Sequence, residues 1–231
     1  MSAIKVICTP ALAPACHELI PEFERAFGHK VVITYGTARA IKDSLLDDGF
    51  ADVAISTDSV IDDLAQRGRI IPGSRIDVAT VGIGLQVRKG ALKPDLRSSA
   101  ALKQALLAAT SIGYIDPASG AAAGIHIDRV IRQLGIACDV NSRTRLVGGG
   151  ALVNAVAGGE VEIGLAPISE IVSDARVELV GPLPLEFQEI TLLAASLVKG
   201  SKEPEAAKSL LQFFETPFAN SVLRNKGLEP S

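Results

Sequence analysis

Val31-Val32-Ile33-Thr34-Tyr35-Gly36-Thr37-Ala38-Arg39 runs directly into Ala40-Ile41-Lys42-Asp43-Ser44-Leu45-Leu46, and this join decides the fold. The residues up to Tyr35 are β-branched or aromatic and read as a strand. Gly36 and Thr37 form a turn, and a helix is expected from Ala40 to Asp47. The pattern recurs in Ser111-Ile112-Gly113-Tyr114-Ile115-Asp116-Pro117-Ala118-Ser119-Gly120, which leads into a helix expected over Ala123 to Leu134. A helix start leaves backbone N–H groups unpaired and carries partial positive charge, so each turn is a ready anion site. Two such turns point to two half-sites that share one small anionic ligand.

Outward from these joins, strand and helix signals alternate along the whole chain. Ile4 to Cys8 reads as a strand, and Ala15 to Phe27 as a helix with Leu19, Ile20, Phe23 and Phe27 at helical spacing. Further strands are expected at Ala51 to Ile55, Thr144 to Val147, Ile163 to Ala166 and Val177 to Val180. Helices are expected at Val60 to Arg67, Ala100 to Ala108, Ala151 to Ala157, Pro204 to Phe214 and Phe218 to Asn225. Two apolar runs are long: Val78 to Val87, broken by Gly82 and Gly84, and Ile190 to Val198. The rhythm predicts an α/β protein with parallel sheets and right-handed crossovers. The long runs predict two lobes, residues 1–80 with 190–231 and residues 85–185. The chain would cross twice, with hinges near 80–85 and 185–190. Ligands of open α/β sheets bind at the carboxyl ends of the strands, which here would line one cleft.

Composition narrows the function classes. The 231 residues are 48% hydrophobic and 21% charged, as in globular proteins and unlike disordered chains. Aromatic residues are scarce and Trp is absent, so the core is aliphatic and suits strands covered by helices on both faces. The net charge of −3 offers no basic surface for nucleic acid. No stretch approaches the roughly 18 apolar residues of a membrane span, so no membrane insertion is expected. The opening Met1-Ser2-Ala3 shows no leader, which predicts a cytoplasmic protein as the chain is written, or a periplasmic one if a leader was removed. Cys8, Cys16 and Cys138 are odd in number and lack metal spacing, so they are expected as buried thiols.

Several motifs resemble one family. They are Pro21-Glu22-Phe23-Glu24 before Gly28, Ala51-Asp52-Val53-Ala54-Ile55-Ser56, Ile71-Pro72-Gly73-Ser74-Arg75, Asp116-Pro117, Gly159-Glu160-Val161-Glu162-Ile163-Gly164 and Lys202-Glu203-Pro204-Glu205-Ala206-Ala207-Lys208. In this order they resemble type 2 periplasmic substrate-binding proteins of the molybdate-binding group. The resemblance implies a two-lobed clamp, with a mainly parallel sheet flanked by helices in each lobe. It also implies a small anionic ligand and an ABC-transporter permease as partner. In molybdate binders a serine follows the first strand, where this chain has Ala11 after Thr9. A second serine falls at Ala38, between Thr37 and Arg39, and a tyrosine of the second lobe falls at Pro167. Two backbone donors fall at Ala123 and Gly149. Three hydroxyls that would hold a tetrahedral oxyanion are therefore missing, at about 1–3 kcal/mol for each lost partner. Longer stretches are similar to the aconitate isomerase branch: Leu106-Leu107-Ala108-Ala109, Asp116-Pro117-Ala118-Ser119-Gly120, Ile168-Ser169-Glu170, Val180-Gly181-Pro182-Leu183-Pro184 and Lys226-Gly227-Leu228-Glu229-Pro230. That branch implies a di- or tricarboxylate ligand, with a proton shift as an alternative activity.

Arg39 fits a carboxylate, because a guanidinium grips its two oxygens through parallel hydrogen bonds. It could equally be a solvated surface residue. With Thr37, Ser119 and Gly120 it completes the expected ligand set. Candidate bases for a proton shift are His126, Asp116 and Glu170. Each has a plainer reading, as a packed histidine, a turn device and a solvent-facing acid. Gly148-Gly149-Gly150 reads as a close-approach turn. There is no phosphate loop, no nucleophile elbow and no cluster with metal spacing, so no cofactor or metal is expected. Three readings remain open, a solute-binding protein, an isomerase on the same clamp and a freestanding effector domain, with molybdate or tungstate kept as an alternative ligand.

Overall fold

The computed structural model describes residues 3–47, 49–148 and 150–231. In chain order the elements begin with β1 (Ala3–Cys8), α1 (Ala13–Phe27), β2 (Lys30–Tyr35), α2 (Ala38–Leu46), β3 (Val53–Thr57), α3 (Asp58–Gln66), β4 (Ile76–Val81) and β5 (Ile83–Arg88). There follow α4 (Ser99–Ala108), β6 (Ile112–Ile115), α5 (Ala122–Gln133), α6 (Ala137–Val140), β7 (Thr144–Val147), α7 (Leu152–Ala157), β8 (Ile163–Pro167) and α8 (Ile168–Val172). The chain closes with β9 (Val177–Pro182), β10 (Thr191–Leu197), α9 (Pro204–Phe214), α10 (Pro217–Asn225) and β11 (Glu229–Pro230). It divides into two compact units, Met1–Val81 with Thr191–Ser231, and Gly82–Ile190.

The first unit holds a sheet ordered β11-β4-β10-β3-β1-β2. Only β1 with β2 and β1 with β3 are parallel pairs; β10 runs antiparallel to β3 and β4, and β11 antiparallel to β4. β3 is buried along its whole length and feeds two cores. Val53 and Ile55 join Phe23 of α1 and Leu210 and Phe214 of α9, whereas Ala54 joins Ile41 and Leu45 of α2 and Ile61 and Leu64 of α3. This is the alternation of a strand covered by helices on both faces. Asp52, just before β3, is 1% exposed and accepts from the N–H groups of Lys5, Lys202 and Glu203 and the hydroxyl of Ser201. Burial raises its carboxyl and the hydrogen bonds lower it, and their sum leaves it below the ordinary value of 3.8.

The second unit holds a sheet ordered β7-β6-β8-β5-β9, in which β6 is parallel to β7 and β8, and β5 is antiparallel to β8 and β9. α4 and α5 cover one face through Leu102, Leu106, Ile127 and Val130; α7 and α8 cover the other through Leu152, Val156 and Ile171. On that second face Gln86 of β5 is fully buried, and neither end of its carboxamide meets a partner among the described residues.

Both sheets are thus mixed, where mainly parallel ones were expected. The reason lies in the crossings. β4 carries the chain out of the first unit at one edge and β10 returns it beside Val81, so the two must run in opposite directions. β5 starts opposite Pro167, the end of β8, and faces the same constraint. The run Val78–Val87 is accordingly two strands in two sheets, parted at Gly82. Cys8 and Cys16 are buried as expected, but Cys138 is exposed.

Candidate functional site

In the first unit β1, β2 and β3 run parallel, so their carboxyl ends share one sheet edge. The loops there are tied together by Thr9 N–H donating to Ile55 O at 3.0 Å and Gly36 N–H donating to Cys8 O at 3.0 Å. Thr9 is half-buried and opens a short 3-10 turn, Pro10–Leu12, in which Ala11 is buried. Thr37 caps α2, its Oγ1 accepting from Ala40 N–H at 3.2 Å. Ala38 and Arg39 occupy the first turn of that helix, half-buried and exposed respectively. Ser56, near the end of β3, has a fully buried hydroxyl without a partner among the described residues. Reading the sequence overlooked it, since a serine inside an apolar strand looks like an ordinary core residue. Burial pushes the Cys8 thiol up, with neighbouring Cys16 adding to the effect, so it stays neutral at pH 7.

The second unit repeats this layout. β6, β7 and β8 end at one edge, where Asp116 N–H donates to Val147 O at 3.0 Å. The Asp116 carboxylate caps the next turn by accepting from Ala118 N–H at 2.8 Å, and the Ser119 hydroxyl donates to Asp116 O at 2.6 Å. Ser119 is exposed, and Gly120 is left-handed at φ 77°. Ala123 is half-buried in the first turn of α5, packed against the core. Gly149 lies outside the described residues. Pro167 closes β8, is buried and has no N–H to donate, while Ile168 N–H donates to Gly82 O at 2.9 Å.

The three candidate bases separate clearly. Asp116 is a turn device, as described. His126 is buried and sits 2.7 Å from Phe187 O through Nε2, so that nitrogen carries the proton. Glu189 approaches its Nδ1 to 2.8 Å, out of line for a hydrogen bond. His126 therefore binds α5 to the segment before β10. Glu170, third in line after Pro167, is half-buried. Burial alone pushes its carboxyl up to about 7, and no hydrogen bond or ion pair offsets this among the described residues.

The crossings fall on the same edges. In the first unit Val81 pairs with Thr191, close to where Leu193 pairs with Thr57 at the end of β3. In the second, Ile83 pairs with Pro167, and the Gln188 carboxamide binds both the N–H and the C=O of Ile83, at 2.8 and 2.9 Å. No group of three or more His, Cys, Asp or Glu able to hold a metal occurs among the described residues, and none of their helices is long and apolar enough to cross a membrane.

An aconitate isomerase from Pseudomonas sp is 29% identical over 236 aligned residues, covering 100% of this chain and 88% of that one. The molybdate-binding protein ModA of Azotobacter vinelandii is 25% identical, over 91% of this chain and 83% of its own. The solved periplasmic molybdate-binding protein of Azotobacter vinelandii superposes with a TM-score of 0.82 at 21% identity, covering 97% and 98% of the two chains, which shows a shared fold. The family described as bacterial extracellular solute-binding protein matches residues 4–229. Spanning nearly the whole of both units, that match means the chain belongs to the bacterial extracellular solute-binding proteins.

Proposed function

We propose that this protein binds a small organic anion, a di- or tricarboxylate, through donors at the loop-bearing edge of each unit. The observation that carries the reading is the content of those edges. Helix starts and Arg39 supply positive charge, while Ala11, Ala38 and Pro167 stand where molybdate binders are expected to present hydroxyls. A tetrahedral oxyanion that finds three expected hydroxyl donors missing is left undersatisfied, whereas a planar carboxylate is served by one guanidinium fork and a few N–H groups. Thr9, Thr37, Ser119, Gly120, Ala123 and Gly149 complete the proposed ligand set. The Pseudomonas relative is named for a tricarboxylate, which agrees with this class. In an exported form the protein would hand its ligand to an ABC permease, as substrate-binding proteins of such transporters do.

Calorimetric titration of citrate, cis-aconitate, trans-aconitate, molybdate and sulfate tests the reading. Saturable binding of at least one carboxylate is expected, with molybdate and sulfate much weaker. An oxyanion that binds more tightly than every carboxylate would overturn it. A second reading, isomerisation of the bound tricarboxylate, is favoured by one specific observation, the half-buried Glu170 with its raised carboxyl.

A further inference from the structure

We propose that the Ser56 hydroxyl is a ligand contact that selects a hydroxy acid, a di- or tricarboxylate carrying an alcohol group, over the analogue without one. The inference rests on the carboxylate-binding reading above and narrows it. Among the described residues, buried polar side-chain atoms without a hydrogen-bond partner occur on Ser56, Gln86 and His126. Gln86 pairs with Gly164, well before the end of β8, and its carboxamide packs over that glycine. His126 has its Nδ1 2.8 Å from the Glu189 carboxylate. Ser56 is different, because it is the next-to-last residue of β3 and adjoins the loops of the proposed ligand set. Its side chain is placed by two arguments. Strand alternation puts it on the face of Ala54, and the register with β10 puts it beside Ala194; both alanines belong to the core that α2 and α3 cover. Both helices start at this edge of that face. Thr9 stands next to Ser56: Cys8 pairs with Ile55, Thr9 N–H donates to Ile55 O, and Ile7 packs on the same core as Ala54. Packing therefore fixes the hydroxyl, and both its donor and its lone pairs are left for a guest.

The surrounding chemistry chooses that guest. A serine hydroxyl both donates and accepts. Asp58, first in α3, keeps a carboxylate close by, accepting from Ser59 N–H at 2.7 Å. A ligand carboxylate placed here would meet that like charge, whereas an alcohol is neutral and can answer Ser56 as donor or acceptor. The carboxylates of the ligand belong instead with Arg39 at the start of α2, whose first turn holds no acid. A ligand without the alcohol would set hydrocarbon against Ser56 and leave the hydroxyl unpaired. That penalty is how a polar site rejects an otherwise identical analogue.

Calorimetric titration of the full chain with two matched pairs, citrate against tricarballylate and malate against succinate, tests this, since the members of each pair differ by one hydroxyl. The wild type is expected to bind the hydroxy member of at least one pair about tenfold more tightly, or better. Ser56→Ala is expected to bring that ratio below about threefold and to hold the other member within about threefold of its wild-type affinity. Without ligand, the variant should unfold at or above the wild-type temperature, because it removes a buried hydroxyl that has no partner among the described residues. Equal wild-type affinities within both pairs would overturn the inference and leave the carboxylate-binding reading standing. Failure of all four compounds while cis- or trans-aconitate binds would do the same; failure of every carboxylate would remove both. A ratio that survives in Ser56→Ala would overturn the role of Ser56. So would a ratio lost together with a clear fall in unfolding temperature, since a displaced strand end would produce it without any contact. Should Ser56→Ala show no cooperative unfolding, Ser56→Cys, of similar size and only a weak donor, replaces it. The ratio should fall there too, and a wild-type ratio would overturn the proposal.

Discussion

A guanidinium on the first turn of α2 opposes the positive end of the helix dipole, so Arg39 is a poor choice for helix stability. A carboxylate bound there would turn that local conflict into an attraction. Arg39→Ala is expected to weaken carboxylate binding at least tenfold, about 1.4 kcal/mol, with the melting temperature nearly unchanged. An unaltered dissociation constant would remove Arg39 from the proposed ligand set. Asp52 makes the opposite case, a charge kept for architecture. Its two oxygens face only donors, so Asp52→Asn turns one acceptor into an NH2 group aimed at N–H groups. A loss of about 3 kcal/mol is expected in urea unfolding. Because the folded carboxyl lies below 3.8, its contribution is complete above the unfolded value and is lost as pH falls through the folded one. The wild type should therefore lose stability on acidification below about pH 4, where the Asn variant changes less. Asp52 was legible as part of a motif, but its partners Ser201 to Glu203 lie about 150 positions away and left no local trace.

At the scale of elements, the sequence located the longer helices and strands, because periods of 3.6 and 2 are local properties, but not the short α6, α8 and β11. α2 starts at Ala38, two residues before the expected Ala40, since the Thr37 cap permits one more half-turn. A tight constraint on packing sits in α5. A Cβ on Gly124 would lie 2.4 Å from Ile115 O and 2.8 Å from Ile115 Cγ2, so the helix start can reach β6 only without a side chain there. Alanine would gain about 1 kcal/mol of helix propensity and lose more to overpacking. Gly124→Ala is expected to destabilise the protein by a net of about 2 kcal/mol in thermal unfolding and to weaken ligand binding, because the Ser119–Ala123 turn would shift with the helix. A stabilised variant would show that this approach relaxes freely.

For the molecule as a whole, a ligand that binds only the folded chain stabilises it by mass action, about 2.7 kcal/mol at a hundredfold excess over Kd. Thermal scans with and without a bound carboxylate should show this as an upward, concentration-dependent shift; a carboxylate that binds by calorimetry yet leaves the transition in place would mean that the unfolded chain binds it equally. The sequence by itself determined the α/β class, the strand-to-helix turns at Thr37 and Ser119, the apolar faces and the family resemblance, all of them written in short-range pattern. The tertiary structure decided which strands pair. It divided Val78–Val87 between two sheets, made both sheets mixed, fixed His126 to Phe187 and left Glu170 without a partner among the described residues. Pairing and burial depend on residues far apart in the chain, so desolvation and hydrogen-bond satisfaction exist only once the chain has folded.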